Sequence, residues 1–272
     1  MPKKSYILVT GGAGYIGSHM VRYLMEYGEE AVVFDNLSTG YRDIVPDNIA
    51  FFKGDIRRES DLDSFFKTYN IQYVMHFAAK SVVPESIEKP LDYYENNILG
   101  CLNLIKKCLQ NSVKGFIFSS TAAVYGEPER VPIKESDALV PVTPYGYSKM
   151  VCERMLLEAA RRHAFPVVIL RYFNAAGAHK SADIGEMHPN ETHLIPNVMD
   201  VALGVKKELF LFGDDYPTPD RTCIRDFIYI GDLCRAHYLA LDFIRNTRIS
   251  DVFNLGTGKC FSVKEIIKFF KK

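Results

Sequence analysis

The chain has 272 residues, 47% of them hydrophobic, and its 33 basic residues balance 33 acidic ones. That length can bury a substantial core, and the charge balance argues against electrostatic capture of nucleic acid or of an acidic membrane. The first apolar run is too short for a signal peptide or a membrane span, and the six scattered cysteines lack metal-ligand spacing. We therefore expect a soluble cytoplasmic protein with reduced cysteines and with no nucleic-acid partner, membrane partner or metal.

The first elements in chain order predict a strand, a glycine turn, a helix and a second strand. Residues 6–10 form an apolar run, and apolar residues recur at helical spacing after the turn. The turn contains Gly11, Gly14 and Gly17. Glycines let the backbone approach a pyrophosphate closely, and the helix N-terminus offers it free amides. The second run ends on Asp35, where an acid accepts hydrogen bonds from an adenosine ribose and repels a 2′-phosphate, so NAD is predicted rather than NADP.

The same alternation continues through the first 174 residues. Strands are predicted at 49–53, 71–77, 113–118 and 167–170, with helices near 58–69, 90–111 and 144–163 between them. Repeated βα units imply a parallel sheet covered by helices on both faces, with ligands at the C-terminal ends of the strands. We expect an α/β doubly wound (Rossmann) domain over residues 1–174 that binds the cofactor.

The pattern changes after residue 174. An irregular stretch at 175–193 precedes a helix at 194–203, a short strand at 209–212 and a strand at 225–230. Asp232 is then predicted to cap a helix running to Arg245, and a strand follows at 252–255. We expect residues 175–272 to form a smaller substrate-binding lobe interleaved with the sheet.

One helix start carries a candidate catalytic pair. Thr143 can cap the helix and Pro144 suits its first position, so Tyr145 and Lys149 lie one turn apart on the same face. A phenol next to an ammonium can become a base because the positive charge favours the phenolate. The residues alone leave open a simpler interpretation, a helix start with a half-buried Tyr and a solvent-facing Lys.

Taken together, the motifs of this chain resemble the extended short-chain dehydrogenase/reductase family and, within it, the UDP-glucose (UDP-galactose) 4-epimerases. The motifs that carry the resemblance lie at residues 10–19, 35–37, 54–57, 76–79, 89–97, 118–121, 145–149 and 171–174. The resemblance covers nearly the whole chain and implies NAD as cofactor and a UDP-sugar as substrate.

The resemblance also implies a set of cofactor contacts. The NAD pyrophosphate would meet the glycine loop and the amides of Tyr15 and Ile16, and the adenosine half would meet Asp35, Asn36, Leu37, Ser38, Thr39, Gly40, Asp55 and Ile56. Phe77, Ala78, Ala79, Asn96 and Phe173 would line the rest, and Lys149 would bond the nicotinamide ribose. In the loop after the predicted strand 71–77, the residue that reaches the cofactor would be either Lys80 or Ser81.

The implied chemistry is a reversible hydride transfer. Tyr145, with its pKa lowered by Lys149 and the positive nicotinamide, would take the proton of the sugar 4′-hydroxyl through a bridge at Thr121 while hydride passes to NAD⁺. Return of the hydride to the other face of the 4-keto intermediate inverts C4′. Substrate contacts are expected from Thr121, Tyr145, Tyr172, Asn174, His193, Leu194 and Arg225.

Several alternatives stay open. Related 4,6-dehydratases carry an Asp-Glu pair directly after the active-site Thr, whereas this chain has Ala122 and Ala123, which favours the epimerase. UDP-N-acetylhexosamine, UDP-glucuronate or UDP-pentose could replace UDP-hexose. Family members continue beyond the position of Lys272, so a truncated cofactor-binding relic with a binding or regulatory role is a further alternative.

Two smaller expectations complete the sequence analysis. The helix near 90–111 and the helix opened by Pro144 form a four-helix dimer interface in this family, which implies a homodimer. His179, His188 and His193 are interpreted as polar groups of a loop, and His76 as a structural hydrogen-bonding residue.

Overall fold

The structure is a computed structural model and describes residues 4–188 and 191–270. Its strands are β1 (Ser5–Thr10), β2 (Ala31–Asp35), β3 (Ala50–Lys53), β4 (Asn70–His76), β5 (Gly115–Ser119), β6 (Val167–Tyr172), β7 (Asn174–Ala176), β8 (Ile224–Tyr229), β9 (Asp251–Leu255) and β10 (Cys260–Ser262). Seven of them form a parallel sheet in the order β3-β2-β1-β4-β5-β6-β9. The predicted doubly wound parallel sheet is confirmed, with its order reversing at β1 and β4.

Helices cover both faces of this sheet. They are α1 (Tyr15–Glu26), α2 (Glu59–Thr68), α3 (Val83–Glu88), α4 (Pro90–Tyr93), α5 (Gly100–Gln110), α6 (Pro144–Arg162), α7 (Leu194–Ala202), α8 (Ile230–Thr247) and α9 (Val263–Phe270). Successive side chains of a strand point to opposite faces, so Ile7 and Val9 pack with α1 and α8, while Leu8 packs with α2, α5 and α6. The strands are therefore apolar along almost their whole length.

A second, three-stranded sheet, β10-β8-β7, lies after the sixth strand of the main sheet in the chain. β7 runs parallel to β8, and β10 runs antiparallel to it. The intervening α8 packs on α1, and β9 returns to pair with β6. The chain beyond residue 174 thus contributes both to the small sheet and to the main one.

Some predicted elements differ in the structure. The helix expected near 90–111 contains a π-helical segment at Tyr94–Leu99 between α4 and α5. Residues 209–212 lie in an irregular segment rather than a strand, with Phe210 and Phe212 exposed, because an apolar run becomes a strand only beside a partner strand. Asp232 lies inside the first turn of α8 instead of capping it, where its charge still favours the helix N-terminus.

Candidate active site

The glycine turn after β1 brings the N-terminus of α1 against the loop that follows β4. Gly11 has φ +71°, and a Cβ on it would lie 2.6 Å from the amide nitrogen of Ala78. A Cβ on Gly17 would lie 2.1 Å from the carbonyl oxygen of Gly11. Gly14 occupies the N-cap position and has no side chain that could compete for the amides of Tyr15 and Ile16. This geometry is a cradle for a phosphate at a helix N-terminus.

Asp35 lies at the end of β2 with its carboxylate held beside the glycine turn. Oδ2 accepts a hydrogen bond from the amide of Ala13 at 3.0 Å, and Oδ1 accepts one from the amide of Leu37 at 2.8 Å. Burial raises the pKa of Asp35, and these two amides oppose that effect. Each oxygen keeps a second lone pair for a ribose hydroxyl. A Cβ on Gly40 would lie 2.5 Å from the carbonyl of Ala13. The turn at 36–40 therefore ends against Ala13, whose amide donates to the Asp35 carboxylate.

Asp55 forms a second acidic position one strand away. Its carboxylate pairs with Arg57 at 2.6 Å and accepts a hydrogen bond from Asn36 Nδ2 at 3.2 Å. The hydrogen bond from the Arg57 guanidinium lowers the pKa of Asp55 to about 2. Ile56 is buried beneath Gly100 of α5. Of the two residues predicted near the adenine, Asp55 is therefore held by an ion pair and Ile56 by apolar packing. Arg57 belongs to the motif at 54–57, but no role was predicted for it; in the structure it pairs with Asp55.

The predicted catalytic residues meet at the C-terminal end of β5. Thr143 caps α6 by accepting the amide of Gly146 at 3.2 Å, and Pro144 is the first helical residue, as predicted. A Cβ on Gly146 would lie 2.6 Å from the carbonyl oxygen of Ala123, so the start of α6 packs directly on the short helix after Thr121. This packing places the Thr121 hydroxyl where it acts on Tyr145 and, against the larger effect of burial, lowers its pKa.

Burial is the main influence on the Tyr145 hydroxyl. Burial raises the pKa of Tyr145 to about 12, and the Thr121 hydroxyl offsets only part of the rise. Lys149 is buried and donates to the carbonyl oxygen of Ser119 at 2.8 Å, with its ammonium 4.8 Å from the centre of the Phe118 ring. Among the protein's own groups burial therefore dominates the pKa of Tyr145, and the lowering of this pKa by Lys149 together with a positive nicotinamide stays a prediction.

The hydroxyl of Tyr172 joins the same strand end. It lies 2.6 Å from Oγ of Ser119, whose carbonyl holds Lys149. Burial is the main cause that raises the pKa of Tyr172, and the charge of Tyr145 adds to it. His76 lies deeper, 2.6 Å from Oγ1 of Thr10, and burial lowers its pKa to about 3, so it is a neutral hydrogen-bonding residue.

A buried ion pair behind the catalytic residues escaped the sequence analysis. Arg171 forms a two-point contact with Glu153, with Nη2 at 2.6 Å and Nε at 3.0 Å from its oxygens. Ser120 donates to the same carboxylate, and Nη1 of Arg171 donates to the Tyr125 hydroxyl at 2.7 Å. Glu153 follows Lys149 by one helical turn, which was the available signal. The network fixes β5, β6 and α6 relative to one another.

The loop after β4 is held by Asn97 rather than by its predicted neighbour Asn96. Oδ1 of Asn97 accepts the amide of Lys80 at 2.9 Å, and its Nδ2 donates to the Lys80 carbonyl at 3.0 Å and to Ser148 Oγ at 2.9 Å. Asn96 bonds only indirectly, through Oδ1 of Asn97 at 3.0 Å. Asn97 lies in the π-helical segment, and such segments often occur at functional sites.

The two candidates in this loop have different surroundings. The ammonium of Lys80 lies 3.6 Å from Asp92 and 3.9 Å from Glu85, and its backbone is fixed by Asn97. Ser81 is exposed. Phe77 packs against His237, with ring centres 4.8 Å apart, beside the Ala78 backbone that closes on Gly11.

The predicted substrate residues divide into two groups. Asn174, His193, Leu194 and Arg225 line one pocket with Glu186, Cys223 and Phe227. Thr121, Tyr145 and Tyr172 belong to the C-terminal ends of β5 and β6 and to the start of α6 that packs there. Phe173 lies between the groups, and a Cβ on Gly256 would lie 3.3 Å from its ring. Asp226 fixes the Gly256 turn by accepting the amides of Thr257 and Gly258 at 2.9 Å, a role that sequence reasoning missed.

Comparison with known proteins identifies the family. The model of the NAD-dependent epimerase/dehydratase family matches residues 7–256. The chain belongs to this family. It is 52% identical over 262 residues to the UDP-glucose 4-epimerase of Halalkalibacterium halodurans, covering 96% of this chain and 78% of that protein.

Solved structures agree with the sequence relatives. The UDP-glucose 4-epimerase of Brucella ovis in complex with NAD superimposes with a TM-score of 0.93 at 44% identity, covering 97% of this chain and 81% of that one. The epimerase of Bifidobacterium longum in complex with NAD⁺ and UDP gives a TM-score of 0.92 at 37% identity, covering 97% and 82%. NAD is the cofactor of this family member, and the glycine cradle with Asp35 beside it fits that nucleotide.

Proposed function

We propose that this protein is an NAD-dependent UDP-glucose 4-epimerase that interconverts UDP-galactose and UDP-glucose. The observation that carries the proposal is the packing of the α6 start, with Tyr145, on the short helix after Thr121, at the sheet edge that also carries the glycine cradle. Ala122 and Ala123 follow Thr121 on the short helix there and have no acid or base for a dehydration. Relatives at 45–52% identity carry the same activity name.

The glycine cradle and Asp35 would hold NAD⁺, which when bound would supply the acceptor for the hydride of C4′ of the sugar and the donor for its return. Tyr145 takes the 4′-hydroxyl proton as hydride leaves and gives it back as hydride returns. Moving a pKa of about 12 to near 7 requires roughly 7 kcal/mol of differential stabilisation. One positive charge about 4 Å away supplies roughly 4 kcal/mol at a protein surface, so Tyr145 needs both Lys149 and the positive ring of the cofactor.

The two groups of substrate residues suit an inversion. Asn174 and Arg225 would hold the diphosphate in the pocket of the small sheet, while Tyr145 and Thr121 contact only the sugar at position 4. A keto sugar anchored through its diphosphate can turn over without dissociating, and it then presents its opposite face to the returning hydride. In this proposal residues 1–174 hold the cofactor, and residues 175–272 form the substrate lobe interleaved with the sheet.

The decisive experiment mixes the purified protein with UDP-galactose and no added NAD. UDP-glucose should form at equilibrium, and denaturation should release one NAD per chain, identified by mass spectrometry. NAD-loaded protein that converts no UDP-galactose would contradict the proposal and favour a cofactor-binding relic. UDP-N-acetylgalactosamine, UDP-glucuronate and a UDP-pentose, run in parallel, separate the alternative substrates.

We also propose a homodimer in the cytoplasm. Three apolar side chains are exposed on α6 and on the segment that runs from α4 to α5: Leu91, Leu99 and Tyr147. The two elements are neighbours, since the Tyr94 ring lies 6.1 Å from the Tyr147 ring. Exposed apolar groups on two adjacent helices are suited to packing against a second copy. Light scattering at micromolar concentration should give the mass of two chains, and a monomeric mass would contradict this.

Among residues 4–188 and 191–270, no helix is long and apolar enough to cross a membrane. The six cysteines, all within those ranges, are free thiols, which suits a reducing compartment.

A further inference from the structure

Four side chains at and just before the start of α7 converge at the edge of the pocket that Asn174 and Arg225 line. The ligand atoms of Glu186, His188, Glu191 and His193 all lie within 4.8 Å of one another. Nδ1 of His193 is 3.0 Å from Oε1 of Glu186 and 3.0 Å from Oε1 of Glu191. Nε2 of His188 is 3.3 Å from the same Glu186 oxygen. Two imidazoles and two carboxylates therefore face a common point.

These distances are those of a small four-coordinate metal site. Zinc binds imidazole nitrogen and carboxylate oxygen at about 2.0–2.2 Å, so neighbouring ligand atoms of a tetrahedron lie about 3.3 Å apart. Three of the measured separations are 3.0, 3.0 and 3.3 Å, close to this value. Side-chain rotation would have to bring the remaining ligand atoms, which lie within 4.8 Å of one another, to the same spacing. Four protein ligands leave no open position, which is typical of a structural rather than a catalytic zinc.

The charges of the cluster favour a cation at its centre. The side chains of Glu186 and Glu191 are only 9% and 13% exposed, so water screens their mutual repulsion weakly. The imidazole nitrogens that face them can each carry one proton at most. A divalent ion neutralises both carboxylates and uses a lone pair from each ring, which satisfies all four groups at once.

The position of the cluster gives the ion a structural task. The ring of His188 packs edge-on against Tyr15 at the start of α1, with centres 6.4 Å apart, and the Tyr15 hydroxyl donates to the Gly177 carbonyl at 2.7 Å. Glu186 and His193 also line the pocket that contains Asn174 and Arg225. We infer that Glu186, His188, Glu191 and His193 bind one zinc ion that fixes this wall of the pocket against the cofactor helix.

The test counts zinc and does not depend on turnover. Purified protein is stripped with a chelator, titrated with Zn²⁺ against a chromophoric zinc indicator, and its metal content is measured by mass spectrometry. One zinc per chain is expected. His188→Asn and Glu191→Gln should each weaken zinc affinity by at least about tenfold, because even groups that only support a metal ligand are worth ten- to a hundredfold.

His179→Asn is the matched control. His179 belongs to the same segment and is also enclosed, but its ring faces Ser181, Asp183 and Glu26. This variant should bind zinc like the parent protein. Bound NAD, read by absorbance, shows whether each variant is folded.

X-ray absorption of the zinc-loaded parent protein should show nitrogen and oxygen neighbours near 2.0–2.1 Å with imidazole scattering. Sulfur neighbours, equal zinc affinity in the parent and His188→Asn proteins, or a parent protein that takes up no zinc would overturn the inference. Loss of the epimerase activity alone would leave these zinc measurements unchanged, so the two proposals fail separately.

Discussion

The candidate residues of the cofactor half and of the substrate pocket differ in burial and in the groups that hold them. In the cofactor half, groups such as Asp35 and Lys149 are buried, and backbone amides or carbonyls of the sheet edge hold them. In the substrate pocket, Arg225 and His193 are exposed, and they come from segments joined by the small sheet. The rigid half can support one chemistry with precision, whereas the pocket is free to differ in the sugar that it accepts.

The largest effect is expected from Tyr145→Phe, which removes the proton acceptor and leaves the ring in place. Turnover should fall by at least about a thousandfold, within the range for lost general acid–base catalysis. NAD content should not change, because the glycine cradle is untouched. Conversion of UDP-galactose is measured at saturating substrate, and a near-normal rate would refute the assigned base.

Gly11→Ala should abolish NAD binding by disrupting the glycine turn. The new Cβ would lie 2.6 Å from the backbone nitrogen of Ala78 at a φ of +71°, so the turn must open. We expect protein purified without NAD. Gly28→Ala is the matched control, because its φ is +72° but its Cβ would meet nothing within 4 Å in the described structure. It should keep NAD and lose only about 1–2 kcal/mol of unfolding free energy. Equal NAD content in the two variants would contradict the cradle.

Lys149→Met should slow turnover and shift its pH dependence. Burial already places the pKa of Tyr145 above its ordinary value. A nearby positive charge favours the phenolate, so its removal should raise this pKa further. The acidic limb of the pH–kcat profile should therefore move to higher pH, while the NAD content falls less than in Gly11→Ala. An unmoved acidic limb would show that Lys149 serves only to hold β5.

Arg225→Ala should give the smallest of these effects and should act on binding. The expected result is a KM for UDP-galactose raised about tenfold with little change in kcat, since an exposed charge–phosphate contact is worth about 1–2 kcal/mol. Arg248→Ala, an exposed arginine at the end of α8, is the control. A fall in kcat with unchanged KM would place Arg225 in the catalytic half instead.

The parts of this site that sequence predicted are local. The glycine turn, Asp35 and the Thr143–Pro144 helix start are each set by a few neighbouring residues, and the structure forms them where the pattern put them. The parts that sequence missed are long-range. Asn97 bonds Lys80 and Ser148, and Glu153 bonds Arg171 and Ser120, across separations that no local pattern reveals.

The sequence by itself determined the strand–helix alternation of the first 174 residues, the cofactor and the candidate base, because periodicity, glycine and charge act over a few residues. Only the tertiary structure decided which way Lys149 points, which asparagine holds the loop after β4, and that Glu186, His188, Glu191 and His193 meet. These depend on packing between distant segments. A buried ammonium such as that of Lys149 must donate to a carbonyl that the folded chain places within reach. The four polar side chains of the loop come together only once the chain around them has folded.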